Sequence, residues 1–144
     1  MSSIKVIYNN CYGGGFAFSA AFEAEYIART GRLTSTHRRL LDSRSPTNIR
    51  VDPVAIAILE EKGSDWSSGP NAALEIREIP AVFSKSWTIE DREGDETVEC
   101  NTESALADLL HTYMKTGDHA TLTDGYRRVM AGVARLYNDA TRGY

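Results

Sequence analysis

Three consecutive glycines, Gly13, Gly14 and Gly15, interrupt an apolar and aromatic stretch, "YNNCYGGGFAFS", over residues 8–19. Residues without a Cβ admit positive φ and close backbone approach, so no regular element runs through them. The run before them, "SIKVIY" (3–8), is rich in β-branched and aromatic residues and predicts a strand. The run after them, "SAAFEAEYIART" (19–30), predicts a helix. Ser19 is its N-cap, Phe22, Tyr26 and Ile27 form its apolar side, and Gly31 is its stop. A strand, a glycine turn and a helix in this order admit two physical readings. One is a backbone cradle for an anion beside a helix N-terminus. The other is a tight turn with buried aromatics.

The rest of the chain sets the fold class. Residues 32–50 predict a long polar loop with a short helical turn near Arg38 to Leu41. "VDPVAIAILEEKG" (51–63) is the clearest helix, with Asp52 as N-cap, Pro53 at the first helical position and Gly63 at the end. "SDWSSGPN" (64–71) predicts loop, and "AALEIREIP" (72–80) a half-buried strand. "SWTIEDREGDETVEC" (86–100) predicts a hairpin turning at "REGD". A helix capped by Asn101 or Thr102 then runs to Lys115, with a stripe of Leu106, Leu109, Leu110, Tyr113 and Met114. After a break at "TGDHATLTD", a last helix spans Asp124 to Asp139 with Tyr126, Val129, Met130, Val133, Leu136 and Tyr137 on one side. This order is not a βαβ alternation. The expected class is α+β: a small antiparallel or mixed sheet packed with helices, plus a C-terminal two-helix segment at 102–144. At 144 residues the chain is expected to form one domain.

Charge narrows the partners. The net charge of −4 argues against a general binder of double-stranded nucleic acid. Residues 32–50 carry five arginines and one aspartate, whereas residues 51–100 carry twelve acids and four bases. Such segregation is either a solvated face or a local positive field for a small anion. No apolar run approaches bilayer length, and no signal peptide is visible. Two cysteines without framework spacing, Cys11 and Cys100, suit a reduced, cytoplasmic protein.

The chemistry-bearing residues favour binding over turnover. The glycines match neither a P-loop nor a GxGxxG fingerprint, because Phe16, Ala17 and Phe18 occupy the positions that follow. Gly13 and Gly14 nevertheless offer backbone amides, and Tyr12, Phe16 and Phe18 offer rings on which a base would stack. His37, His111 and His119 lack partners at metal spacing, and no metal or cofactor is expected. Six carboxylates between Glu90 and Glu99 surround one basic residue and read as a solvated edge. Arg127 and Arg128 on the last helix present planar forks suited to phosphate. Arg50 stands just before the helix that begins at Pro53 and reaches the same region or pairs with an acid.

"KVIYNNCYGGG", "RVDPVAIAILEEKGSDWSSGPNAALEIREIP" and "SWTIEDREGDETVE" together resemble a family of small phage and large-DNA-virus proteins. That family carries a strand ending in Cys-Tyr-Gly-Gly-Phe, an Asp-Pro-initiated helix, a strand closing on Glu-Ile-Pro and an aromatic-rich hairpin. The resemblance covers residues 4–17 and 50–100, and the chain departs from it by the extra Gly15 and by its C-terminal helices. Size, mixed fold and an arginine-bearing last helix are also similar to phage Thoeris anti-defence proteins of the first type. The resemblance implies a homo-oligomer, a dimer or an assembly of dimers. It also implies sequestration of cyclic ADP-ribose isomers, with cyclic oligonucleotides at separate sites, without cleavage.

Three functions are therefore open. The first is a viral anti-defence protein that binds a small anionic nucleotide ligand through Tyr12, Gly13, Gly14, Phe16, Phe18, Arg50, Asn101, Arg127 and Arg128. The second is a structural or protein-interaction module built on the C-terminal helices. The third is a nucleotide-processing enzyme using Cys11 or a carboxylate of the hairpin.

Overall fold

A computed structural model describes residues 2–34 and 48–142. Strand β1, Ser3–Asn9, pairs antiparallel with β2, Leu74–Pro80, so that Ser3 faces Pro80 and Asn9 faces Leu74. Between them lie helices α1 (Ala20–Thr30), α2 (Pro53–Lys62) and the single turn α3 (Ser64–Ser67). A second antiparallel pair follows, β3 (Trp87–Arg92) with β4 (Asp95–Cys100). Helices α4 (Thr102–Thr116) and α5 (His119–Arg142) complete an α+β fold with two small antiparallel sheets.

Period-2 alternation divides the interior. On one face of the β1–β2 ribbon, Ile7 and Leu74 are fully buried against Phe22, Tyr26, Ile58 and Leu59 of α1 and α2. On the other face, Val6 and Ile79 meet Trp87, Ile89 and Val98 of the second sheet and Val129 of α5. Two clusters thus pack on opposite faces of a two-stranded ribbon, which on its own would be marginal in water.

Local sequence chemistry fixes most element ends. Ser19 caps α1, accepting from the Phe22 N–H at 3.0 Å, and Gly31 closes it in the left-handed region at φ 71°. Asp52 caps α2, accepting from the Val54 and Ala55 N–H groups at 2.8 and 3.3 Å. The β3–β4 turn places both Glu93 (φ 53°) and Gly94 (φ 93°) at positive φ, the conformation that matches strand twist.

Two expectations shift. Residues 64–67, expected as loop, form α3. Helix α5 begins at His119 rather than Asp124, because Asp118 Oδ1 accepts from the Ala120 and Thr121 N–H groups at 3.1 and 3.3 Å. Only Gly117 and Asp118 separate it from α4. The helical turn expected near Arg38 to Leu41 lies outside the described residues.

Candidate functional site

The glycine segment sits where β1 ends, against two other turns. Its amides are engaged internally: Gly13 N–H donates to the Glu93 carbonyl at 2.7 Å, Gly14 to Cys11 at 3.3 Å and Gly15 to Asn71 at 3.3 Å. A Cβ at Gly14 would overlap the Asn71 carbonyl oxygen, and one at Gly94 would overlap the Gly14 carbonyl. Glycine is required at both positions by backbone-to-backbone packing. The anion-cradle expectation for Gly13 and Gly14 is therefore corrected, because these donors already have protein acceptors. Ser19, which caps α1, also donates its hydroxyl to the Trp66 carbonyl at 2.7 Å.

The aromatics divide. Phe16 is buried, with the Arg50 guanidinium carbon 4.1 Å from its ring centre, and Phe18 meets it edge-on at 5.2 Å. Phe18 stacks on Phe22 at 4.0 Å between centroids. Phe16 belongs to the core and the half-buried Phe18 packs against it, its ring already stacked on Phe22. Tyr12 is 73% exposed and donates its hydroxyl to the Glu93 carboxylate, which raises the hydroxyl pKa above the ordinary tyrosine value. A shallow depression of about 360 Å³ beside it is lined by backbone at residues 13–15 and by Pro70 and Asn71.

Arg50 lies in the interior with 0% exposure. Its two terminal nitrogens reach Glu96 Oε1 at 2.8 Å and Oε2 at 3.0 Å, and one also donates to the Ile7 carbonyl at 3.1 Å. Glu96 Oε1 accepts in addition from the Asn9 N–H at 2.8 Å. The Asn9 side chain donates to the Gly94 carbonyl at 2.8 Å and accepts from the Ala73 N–H at 2.8 Å. Arg50 is thus the centre of a buried polar network and not a ligand-facing cation. Glu96 corrects a second expectation, since it leaves the solvated acidic edge of the hairpin. The signal was present in β4, where Glu96, Val98 and Cys100 share one phase of the alternation and Val98 is plainly apolar.

Asn101 caps α4 by accepting from the Ser104 N–H at 2.9 Å. It follows β4 at the end of the hairpin remote from Gly94, so it does not join the glycine segment.

Arg127 and Arg128 are exposed on α5. Arg128 borders a cavity of about 450 Å³ between Pro80, Ala81 and Val82 on one side and Ala131 and Gly132 on the other. Asp124 holds the Arg128 Nε at 2.9 Å, with both side chains more than 60% exposed. This cavity opens at the Ser3–Pro80 end of the ribbon, whereas the glycines lie beyond the Asn9–Leu74 end. Six residue steps of about 3.3 Å put the two ends roughly 20 Å apart. The nine predicted residues therefore do not converge on one site. They fall into a glycine turn, a buried network, a helix cap and a separate cavity bordered by Arg128, with Arg127 exposed on α5 outside its lining.

Neither cysteine stands in a catalytic arrangement among the described residues. Cys11 Sγ lies 3.9 Å from the Tyr12 carbonyl, and burial pushes the Cys100 thiol up to about 11. Among the described residues no group of three His, Cys, Asp or Glu side chains could hold a metal ion. Nor, among them, is any helix long and apolar enough to cross a membrane. The site and fold together define an α+β chain with an arginine-bordered cavity. No protein family, curated protein or solved structure matches it.

Proposed function

We infer that the chain is a viral anti-defence protein that binds a small anionic nucleotide signal and holds it without cleaving it. The observation that carries this reading is the cavity beside Arg128, whose volume of about 450 Å³ lies within the size of small-molecule sites. Arginine at the rim suits a phosphate, and carbon surface within suits a base. The test is calorimetric titration with cyclic ADP-ribose isomers and cyclic dinucleotides, followed by mass analysis of the released ligand. Saturable binding with unchanged mass is expected, weakened by salt. A ligand that returns altered, or a panel with no binder, refutes it.

A second reading, assembly through the C-terminal helices, rests on a different observation. Leu110, Met114 and Tyr126 are 54%, 82% and 54% exposed on α4 and α5. Residues 101–144 hold five acids and five bases, so a second copy brings no net like-charge opposition. Sedimentation of the intact protein and of the exposed-face variant Leu110→Ser with Met114→Ser tests it. A dimer or larger assembly is expected for the first and a folded monomer for the second; a monomeric intact chain refutes it.

A further inference from the structure

The cavity beside α5 is chemically lopsided. Pro80 has no N–H to offer, and the Ala81 N–H already donates to the Ser2 carbonyl at 3.2 Å. Among the described residues, Ser2 and Arg128 are the polar side chains of the lining, and Arg128 is its cation. Most of the surface is carbon. Gly132 fixes the floor, since a Cβ there would lie 2.9 Å from Val82 Cγ1 and 3.0 Å from Phe83 Cε2. The helix therefore lies close against Val82 and Phe83, leaving a wall of small residues. Ala131, by contrast, is exposed at the rim. The partner of Arg128 is an exposed i,i+4 carboxylate, a pairing that contributes little and exchanges readily.

We propose that this cavity recognises one nucleoside monophosphate unit, with a single phosphate on the Arg128 fork in place of Asp124 and the base against Pro80, Val82 and Ala131. One cation satisfies one phosphate, and a second desolvated phosphate would find no charged partner among the described residues of the lining. A larger cyclic ligand is held by this one unit, its remaining phosphate and sugar staying in solvent. The proposal rests on the nucleotide-binding reading and narrows it to a minimal fragment.

The test titrates the intact protein with AMP, adenosine and inorganic phosphate alongside the cyclic panel. The same titrations are made on Arg128→Gln and Ala131→Trp, each checked for an unchanged far-UV spectrum. Both positions are exposed, so both variants are expected to fold. AMP is expected to bind and to compete with the cyclic ligand, with adenosine and phosphate each at least tenfold weaker. Arg128→Gln lowers AMP affinity at least tenfold and leaves adenosine within twofold; Ala131→Trp abolishes both. Cyclic-ligand binding without AMP binding overturns the fragment assignment while leaving sequestration standing. Phosphate binding as tight as AMP, or AMP binding unaffected by either variant, also overturns it. Failure of every compound overturns both proposals.

Discussion

Replacing Glu96 by alanine removes the carboxylate that holds the fully buried Arg50 guanidinium through two contacts at 2.8 and 3.0 Å. It also strips the Asn9 N–H of its acceptor. Removing one partner of a buried ion pair costs about 3–5 kcal/mol. An orphaned buried N–H adds about 1–3 kcal/mol. The sum approaches the entire stability of a typical domain, about 5–15 kcal/mol. The assay is urea unfolding at pH 7 followed by far-UV circular dichroism. Where Glu96→Ala fails to fold, Glu96→Gln serves instead, since its amide carbonyl still accepts from Asn9 or Arg50. A loss of about 3 kcal/mol in Glu96→Gln corresponds to a melting decrease of roughly 6–12 °C for a chain of this size. The double variant Arg50→Met with Glu96→Leu closes the cycle. Removing both charges together is expected to cost less than either single change, because no lone charge is left buried. Additive losses, or a Glu96→Ala loss below about 1 kcal/mol, would refute the assignment of this pair as the interior anchor.

Further outcomes follow from other contacts. Gly14→Ala drives a methyl into the Asn71 carbonyl and is expected to cost at least about 2 kcal/mol in the same assay, a larger loss than at the open Gly15. Cys100, with its thiol pushed up to about 11 by burial, is expected to alkylate at least tenfold more slowly at pH 8 than in 8 M urea, read by peptide mass. Burial, with the Asp52 hydrogen bond second, pushes the Tyr26 hydroxyl up to about 12 from an unfolded value near 10. The folded state thus keeps a proton that the unfolded state loses. That stability is fully present below pH 10 and lost as pH rises to 12, and Tyr26→Phe should flatten this part of a melting-temperature profile. Leu110→Ser with Met114→Ser is expected to shift sedimentation toward monomer without lowering the melting temperature of the body.

Where the chain carried its own punctuation, the fold was legible. Asp52, Pro53 and Gly63 bracket α2, and Ser19 and Gly31 bracket α1, because caps act within a few residues of themselves. The β3–β4 hairpin was legible from its turn. The candidate site was not. Glycines signal both close ligand approach and close chain approach, and here Asn71 and Gly94 occupy the space. Deciding between the two needs the partner segments, which lie about 60 and 80 residues further along the sequence. Arg50 likewise shows a charge in sequence but not the buried carboxylate 46 positions away. The apolar stripes of α4 and α5 were visible as stripes, yet Leu110 and Met114 emerge from the surface while Ala105 and Val129 carry the contact with the body. Amphipathic spacing gives a face without naming what covers it.

The network around Glu96 has a consequence for synthesis. During elongation β1 and Arg50 leave the ribosome long before residue 96, and the bonds from Asn9 and Arg50 span 87 and 46 positions. Until then Arg50 lacks its paired contact with Glu96, and the Asn9 N–H lacks its Glu96 acceptor. The α4–α5 hairpin, joined through Gly117 and Asp118, has short-range contacts and forms as soon as it emerges. β1 and Arg50 are thus translated ahead of the carboxylate that joins them, and closure of this end of the ribbon waits on the late hairpin. A pause in translation before residue 96 would hold that ribbon open, with its apolar faces available to chaperones or to misfolding.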